Sequence, residues 1–248
     1  MDPTLQKWVS NLVIVRHGES ERNVNKTAAT SAGLLDYGGE IRDVDVQLTA
    51  RGSAQAKETG KHLASKFRFD RIFTSPYLRA VQTTQSIADE FDCKPEILNE
   101  ERIREKEFGI LDGLTKEGIE RKYHEESKRK QLVGKYYYRP PGGESYPDVA
   151  LRIHSFLGTL TRDLACKSVL AVCHSVIVLV FRRLLERLSE HELLAIDGDP
   201  DQEVRNCSVT WYAFDPTAGA NGKMVLKEFN SIYYEPGRRE DDSRGVLA

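Results

Sequence analysis

The chain has 248 residues, 40% hydrophobic and 30% charged, enough apolar material for a sizeable core in one large domain or two small ones. Its 36 Lys and Arg nearly balance 38 Asp and Glu, and a formal net charge of -2 does not mark nucleic acid or an anionic membrane as a partner of the whole surface. The longest apolar run, 176–181, is far too short to span a bilayer, and the first residues lack the charged start and apolar block of a signal peptide, so the chain reads as cytoplasmic. Cys93, Cys166, Cys173 and Cys207 form no CxxC pair and read as buried free thiols rather than disulfides.

In chain order, apolar runs alternate with amphipathic stretches, the pattern of an α/β protein. Residues 11–15 are a short β-branched run, a buried first strand whose polar exit is Arg16-His17-Gly18-Glu19-Ser20. The stretch 24–47 has several glycines and little periodicity, and reads as a long loop, either a lid or an inert insertion. Thr49 caps a helix to about residue 67. A second strand covers 71–74, and Ser75-Pro76 reads as a cap with proline at the first helical position of a helix reaching about residue 91. A weak strand at 96–98 precedes a charged helix at 115–131. Pro140-Pro141-Gly142-Gly143 breaks the chain before a helical pattern over 145–163. The second strong strand, 168–173, ends in His174-Ser175 and leads into an apolar helix to about residue 188. Residues 205–214 and 223–229 read as late strands, plausibly antiparallel at a sheet edge. There is no internal repeat or central linker, so one domain over 1–236 is expected, with a polar, disordered tail from 237 to 248.

The chemistry-bearing residues sit at strand ends. Ligands of open α/β sheets collect at the carboxyl ends of strands, which is where 12–15 delivers Arg16 and His17. An unprotonated imidazole is a nucleophile toward phosphorus, and a neighbouring guanidinium would hold phosphoryl oxygens and disfavour imidazole protonation. Gly18 would let a phosphate approach backbone N–H groups. Taken alone, Arg-His-Gly also reads as a surface turn. Arg79 stands in the first turn of a helix after another strand, where a second guanidinium could share the anion or merely be solvated. His174 leaves its strand as His17 leaves its own, although either histidine could be structural.

These residues carry a family resemblance. Leu12-Val-Ile-Val-Arg-His-Gly-Glu-Ser20 resembles the signature of the histidine phosphatase superfamily, which includes the cofactor-dependent phosphoglycerate mutases. Leu48-Thr-x-x-Gly52, Thr74-Ser-Pro-x-x-Arg79-Ala and Arg104-Glu105-x-x-Phe-Gly109 follow in the family's order, and the resemblance extends over about 11–230. It implies a three-layer α/β/α sandwich around a mostly parallel mixed sheet. It also implies that His17 is the nucleophile, that Arg16, Arg79 and His174 form the phosphate pocket, and that Glu105 is the general acid. Asn23 matches a phosphate contact, with Ser20 a second candidate. Charge from Arg16, Arg79 and a protonated His174 would stabilise the transferring phosphoryl group, while Glu105 would protonate the leaving alkoxide and then deprotonate the attacking water. Glu107 is a nearby decoy, and Glu105 itself also reads as a surface glutamate. No metal or other cofactor is called for. The substrate would be a small-molecule phosphate ester, and a homodimer is in keeping with the family.

One departure is Cys173-His174-Ser175, where the family usually has glycines. The Ser175 side chain could crowd the phosphate or donate to it. Lys116 matches a mutase position, but the arginine pair and proline run of the mutases are not found. Arg129 and Lys130 lie in the same region. Pro-Gly-Gly-Glu144-Ser is more reminiscent of the phosphatase branch, where Glu144 would line the site mouth. Tyr136-Tyr137-Tyr138 and Arg139 would gate the pocket or simply pack. A phosphomonoesterase is therefore expected; the alternatives are a cofactor-dependent phosphoglycerate mutase, and a binding or regulatory module that keeps the fold without turnover. Other phosphate chemistries are struck out: no GxxxxGK[ST] or thiolate loop is present, and Asp43-Val-Asp45-Val-Gln47 lacks the context of an aspartyl nucleophile.

Overall fold

The computed structural model describes residues 6–235. The strand β1, Asn11–Arg16, is buried throughout its middle because both of its faces are covered. Side chains alternate across a strand. Leu12 and Ile14 therefore enter one core, with Ile153, Phe156, Val178 and Phe181, while Val13 and Val15 enter the other, with Ala56, Leu63 and Ile87. Each fully buried Val, Leu or Ile contributes about 1.5–3 kcal/mol of transfer free energy, so a continuous apolar run is stable only as an inner strand.

The other strands are β2 (Arg71–Thr74), β3 (Glu96–Asn99), β4 (Ser168–Cys173), β5 (Val209–Asp215) and β6 (Lys223–Ser231), in the order β3-β2-β4-β1-β5-β6. The first four are parallel; β5 runs antiparallel to β1, and β6 to β5. Helices α2 (Ala50–Lys66) and α3 (Leu78–Ala88) supply the apolar side chains of one face, and α6 (Tyr146–Asp163) and α7 (Ser175–Glu186) those of the other. This is the three-layer α/β/α sandwich with a mixed, mostly parallel sheet. The register sets Arg16 beside Cys173 and Thr74 beside Val172, so the residues leaving β1, β2 and β4 emerge side by side.

Several expectations need correction. The stretch 24–47 is not one loop: helix α1, Glu21–Ser31, occupies its first part, with a capping box between Ser20 and Asn23. Ser75 does not cap α3; the helix starts at Leu78 after Tyr77, and ends at Ala88. The charged helix at 115–131 is two, α4 (Lys116–Lys122) and α5 (His124–Val133), broken at Tyr123 where the backbone leaves helical geometry. A further helix, α8 (Glu190–Gly198), was not anticipated and is opened by a Ser189–Glu192 capping box. As expected the cysteines form no disulfides among the described residues, but Cys93 and Cys166 are exposed. The segment expected to be a tail lies outside the described residues. Among those residues no helix is long and apolar enough to cross a membrane.

Candidate active site

The sheet ladder continues past β1 and β2 and fixes His17 and Ser75 against β4: the His17 amide donates to the Cys173 carbonyl at 2.9 Å, and the Ser75 amide to that of Val172 at 2.9 Å. The imidazoles meet edge to face with centroids 5.1 Å apart, and both are buried. The carbonyl of Gly18 can only accept, so its 2.7 Å contact with His17 Nδ1 places the ring proton on Nδ1. The Nε2 lone pair is left toward Arg79, whose Nε donates to it at 3.3 Å. Burial, with the Arg79 and Arg16 charges behind it, holds the His17 pKa well below its ordinary value. The nucleophile candidate is thus a neutral imidazole with a defined tautomer.

His174 donates to or accepts from the Ser75 hydroxyl through Nε2 at 2.8 Å, and its Nδ1 lies 3.7 Å from a Glu105 carboxylate oxygen. Burial first, then Arg79, His17 and Arg16, push its pKa well down. Without a bound anion, burial and the neighbouring cations thus disfavour the protonated form of His174 that was expected against a phosphoryl group. The Glu105 side chain is only 12% exposed and accepts from the Lys106 amide. Burial raises its pKa against the lowering pull of Arg79 and Arg16, so it keeps a proton to higher pH than a surface glutamate. Glu107, the decoy, is engaged elsewhere, accepting from the Tyr77 hydroxyl at 2.9 Å.

Arg79 is buried and Arg16 partly so, the latter donating to the Val204 carbonyl with its buried Nε unpartnered. His174 Nδ1 likewise lacks a hydrogen-bond partner. Buried polar atoms without partners are rare in folded proteins. Gly18 proves to be small for a reason other than phosphate approach. A Cβ there would stand 2.5 Å from the Gly52 carbonyl oxygen, and one on Gly52 would stand 2.0 Å from that of Glu19, so the His17 loop packs backbone to backbone on the start of α2. The Gly18 amide donates to Thr83, whose hydroxyl donates to the Arg79 carbonyl, linking nucleophile loop and α3.

The remaining candidates divide. Asn23 lies at the site, its Oδ1 accepting from Ser20 and from Asn206, which also donates to the His17 carbonyl. Ser20 is the cap of α1 and is buried. Ser175 opens α7 beside His174. Glu144 does not hold an anion but two cations: it pairs with Arg152 at 3.0 Å and Arg104 at 3.2 Å and accepts from the Glu107 amide. Arg139 is bound to Asp148, and Lys116 is exposed at the start of α4. Tyr136 and Tyr138 are buried, leaving Tyr137 exposed.

Several site residues escaped the sequence reading. Arg152 donates to the carbonyls of Arg102, Arg104 and Glu105, bracing the loop that carries Glu105. Lys106 is buried beside Glu105 and Glu144, with its pKa pushed down to about 8 by burial. Arg22 and Arg79 converge on Asp43. None belongs to a local motif; long-range packing assembles them. Among the described residues no group of three or more His, Cys, Asp or Glu side chains could hold a metal.

Fold and strand-end histidines define a phosphoglycerate mutase-like α/β protein, and comparison with solved structures agrees. A mycobacterial glucosyl-3-phosphoglycerate phosphatase, solved with VO3, superposes with a TM-score of 0.69 at 22% identity, covering 90% of this chain and 100% of that one. A phosphoserine phosphatase from Entamoeba histolytica, in complex with 3-phosphoglyceric acid, gives 0.64 at 24% identity, covering 89% and 96%. Residues 12–225 match the histidine phosphatase superfamily (branch 1), and the chain belongs to that family. A 2,3-bisphosphoglycerate-dependent phosphoglycerate mutase from Methylobacterium radiotolerans is 31% identical over 221 residues, 88% of this chain and 95% of the relative.

Proposed function

We propose that the protein is a phosphomonoesterase that hydrolyses small-molecule phosphate esters through a phosphohistidine at His17. The observation that carries this reading is the neutral His17, its Nε2 lone pair in contact with Arg79 and its ring packed on His174, which Glu105 approaches from the other side. In the first step Nε2 attacks phosphorus, the P–O ester bond breaks, and the departing alkoxide takes the proton that burial keeps on Glu105. Arg16 and Arg79 hold the equatorial oxygens, with the Asn23 amide as a further donor. A dianion beside His174 would favour its protonated form, which would add a further positive charge to the pocket. In the second step water attacks phosphorus, Glu105 accepts its proton, and the P–N bond breaks to release inorganic phosphate.

The other cations support hydrolysis over mutase chemistry. A mutase must retain a highly charged bisphosphate, yet Arg139 is neutralised by Asp148 and Lys116 is exposed. The similarity to a phosphoglycerate mutase over nearly its full length favours a second reading, isomerisation of phosphoglycerate. Incubation with 3-phosphoglycerate and 2,3-bisphosphoglycerate separates the two. Phosphate release faster than appearance of 2-phosphoglycerate is expected, and the reverse order overturns the phosphatase reading.

A further inference from the structure

The guanidinium that a phosphoryl group would need is already in use. Both terminal nitrogens of Arg79 are engaged by Asp43: Nη1 donates to the carboxylate Oδ1 at 2.9 Å and to the Asp43 carbonyl at 2.6 Å, and Nη2 donates to Oδ2 at 3.0 Å. This is the two-pronged arrangement by which arginine binds carboxylate and phosphate alike. With Arg79 Nε on His17, four of its five N–H donors are committed.

Asp43 also touches a second arginine. Its Oδ1 lies 2.5 Å from Arg22 Nη1, while Arg22 is gripped from behind by Asp112 at 3.1 and 3.0 Å. Arg22 is the second residue of α1, so its backbone is set by the helix and its head by Asp112. Asp43, by contrast, belongs to a single 3-10 turn, Asp43–Asp45, preceded by the exposed residues 39–42. Neither Val46 nor Leu48, the first buried side chains after the turn, belongs to either core, so the turn can move with both cores intact. The anion is thus on a loop and the cations are on helices.

We propose that Asp43 is an internal anion occupying the phosphoryl position on Arg79, that an incoming phosphate ester must displace it, and that displacement brings Arg22 onto the substrate as an additional binding and specificity residue. The inference rests on the phosphoryl-transfer reading of this site. A phosphoryl oxygen taking the place of Oδ1 would meet Arg79 and Arg22 together, so esters carrying a full dianion would be selected over monoanionic ones. A site that is competent only when its own carboxylate has left binds more weakly by the fraction of time it is open.

The test is calorimetric titration of inorganic phosphate into wild type, Asp43→Asn and Arg22→Met, alongside steady-state hydrolysis of p-nitrophenyl phosphate. Asp43→Asn should bind phosphate about 10-fold more tightly, corresponding to a site open roughly a tenth of the time, with KM lowered in parallel. Arg22→Met should bind it more weakly. Equal or weaker binding by Asp43→Asn would overturn the inference, because Asp43 would then be positioning Arg79 rather than competing for it. A measurement on wild type alone guards against a misfolded variant: phosphate should speed amide hydrogen exchange in residues 39–46, and slower exchange there overturns the proposal. Failure of the inference is distinguishable from failure of the proposed function. In the first case wild type still binds phosphate and hydrolyses esters, and in the second it does neither.

Discussion

Arg79 donates its Nε proton to Nε2 of His17 at 3.3 Å, so one guanidinium both touches the lone pair meant for phosphorus and helps keep that imidazole unprotonated. The contact makes Arg79 part of the nucleophile's environment as well as of the phosphate pocket. Replacing it with alanine should lower kcat/KM by about 10²–10³, the usual cost of one preorganised donor to a developing anion. Arg79→Lys should rescue little, because an ammonium cannot reach His17 and hold a phosphoryl group through a planar fork. Full activity in the lysine variant, measured on p-nitrophenyl phosphate, would show that charge alone suffices.

The pH profile of kcat/KM follows from two shifts of opposite kind. His17 works unprotonated, and burial with Arg79 and Arg16 lowers its pKa well below 6.5, so the acid limb should lie below that value. Glu105 works protonated, and burial raises its pKa above 4.5, so activity should fall as pH rises through that elevated value. Glu105→Gln should abolish the upper limb. It should slow alkyl phosphates by about 10²–10⁴ but p-nitrophenyl phosphate far less, since that leaving group needs no proton. Equal losses on both ester types would remove Glu105 from the acid role.

Arg152 holds three consecutive-loop carbonyls, at 2.6, 2.8 and 3.2 Å, while its charge is met by Glu144. Arg152→Met should cost about 2–4 kcal/mol of stability, since Glu144 loses its principal cation and the carbonyls lose a donor. It should also depress kcat more than KM, because it loosens Glu105 and not the phosphate cations. Chemical denaturation and steady-state kinetics on one preparation check both parts.

Gly52→Ala tests the backbone contact under the nucleophile loop. A methyl group 2.0 Å from the Glu19 carbonyl oxygen forces either loop or helix to move. A loss of about 1–3 kcal/mol is expected from overpacking alone, together with reduced activity through displacement of His17. An unchanged thermal midpoint and rate would mean that the contact relaxes without cost.

Much of this was legible in the sequence for identifiable reasons. The runs 11–15 and 168–173 are apolar and β-branched and lie buried on both faces, so pattern and structure agree. Helix α1 was hidden because Ala29 is its only buried residue and because its capping box is closed by Asn23 instead of the Glu or Gln that marks such a box. The break at Tyr123 carries no proline or glycine to announce it. At the site, His17, Arg79 and His174 stand at strand ends and a helix start, where local pattern finds them, while Glu105 lies in the loop after the 3-10 turn Glu101–Ile103 and is marked only by its motif. Asp43 reaches Arg79 36 positions away, Arg152 reaches carbonyls 47 to 50 away and Arg22 reaches Asp112 90 away, all through tertiary packing that local spacing rules cannot see.

The central claim is phosphoryl transfer through His17. The most direct measurement is to quench wild type and His17→Ala during turnover of a radiolabelled phosphate ester without added metal, and to assay protein-bound label and released phosphate. The account predicts acid-labile, alkali-stable label on wild type, with neither label nor phosphate release from His17→Ala. Undiminished phosphate release by His17→Ala would contradict it.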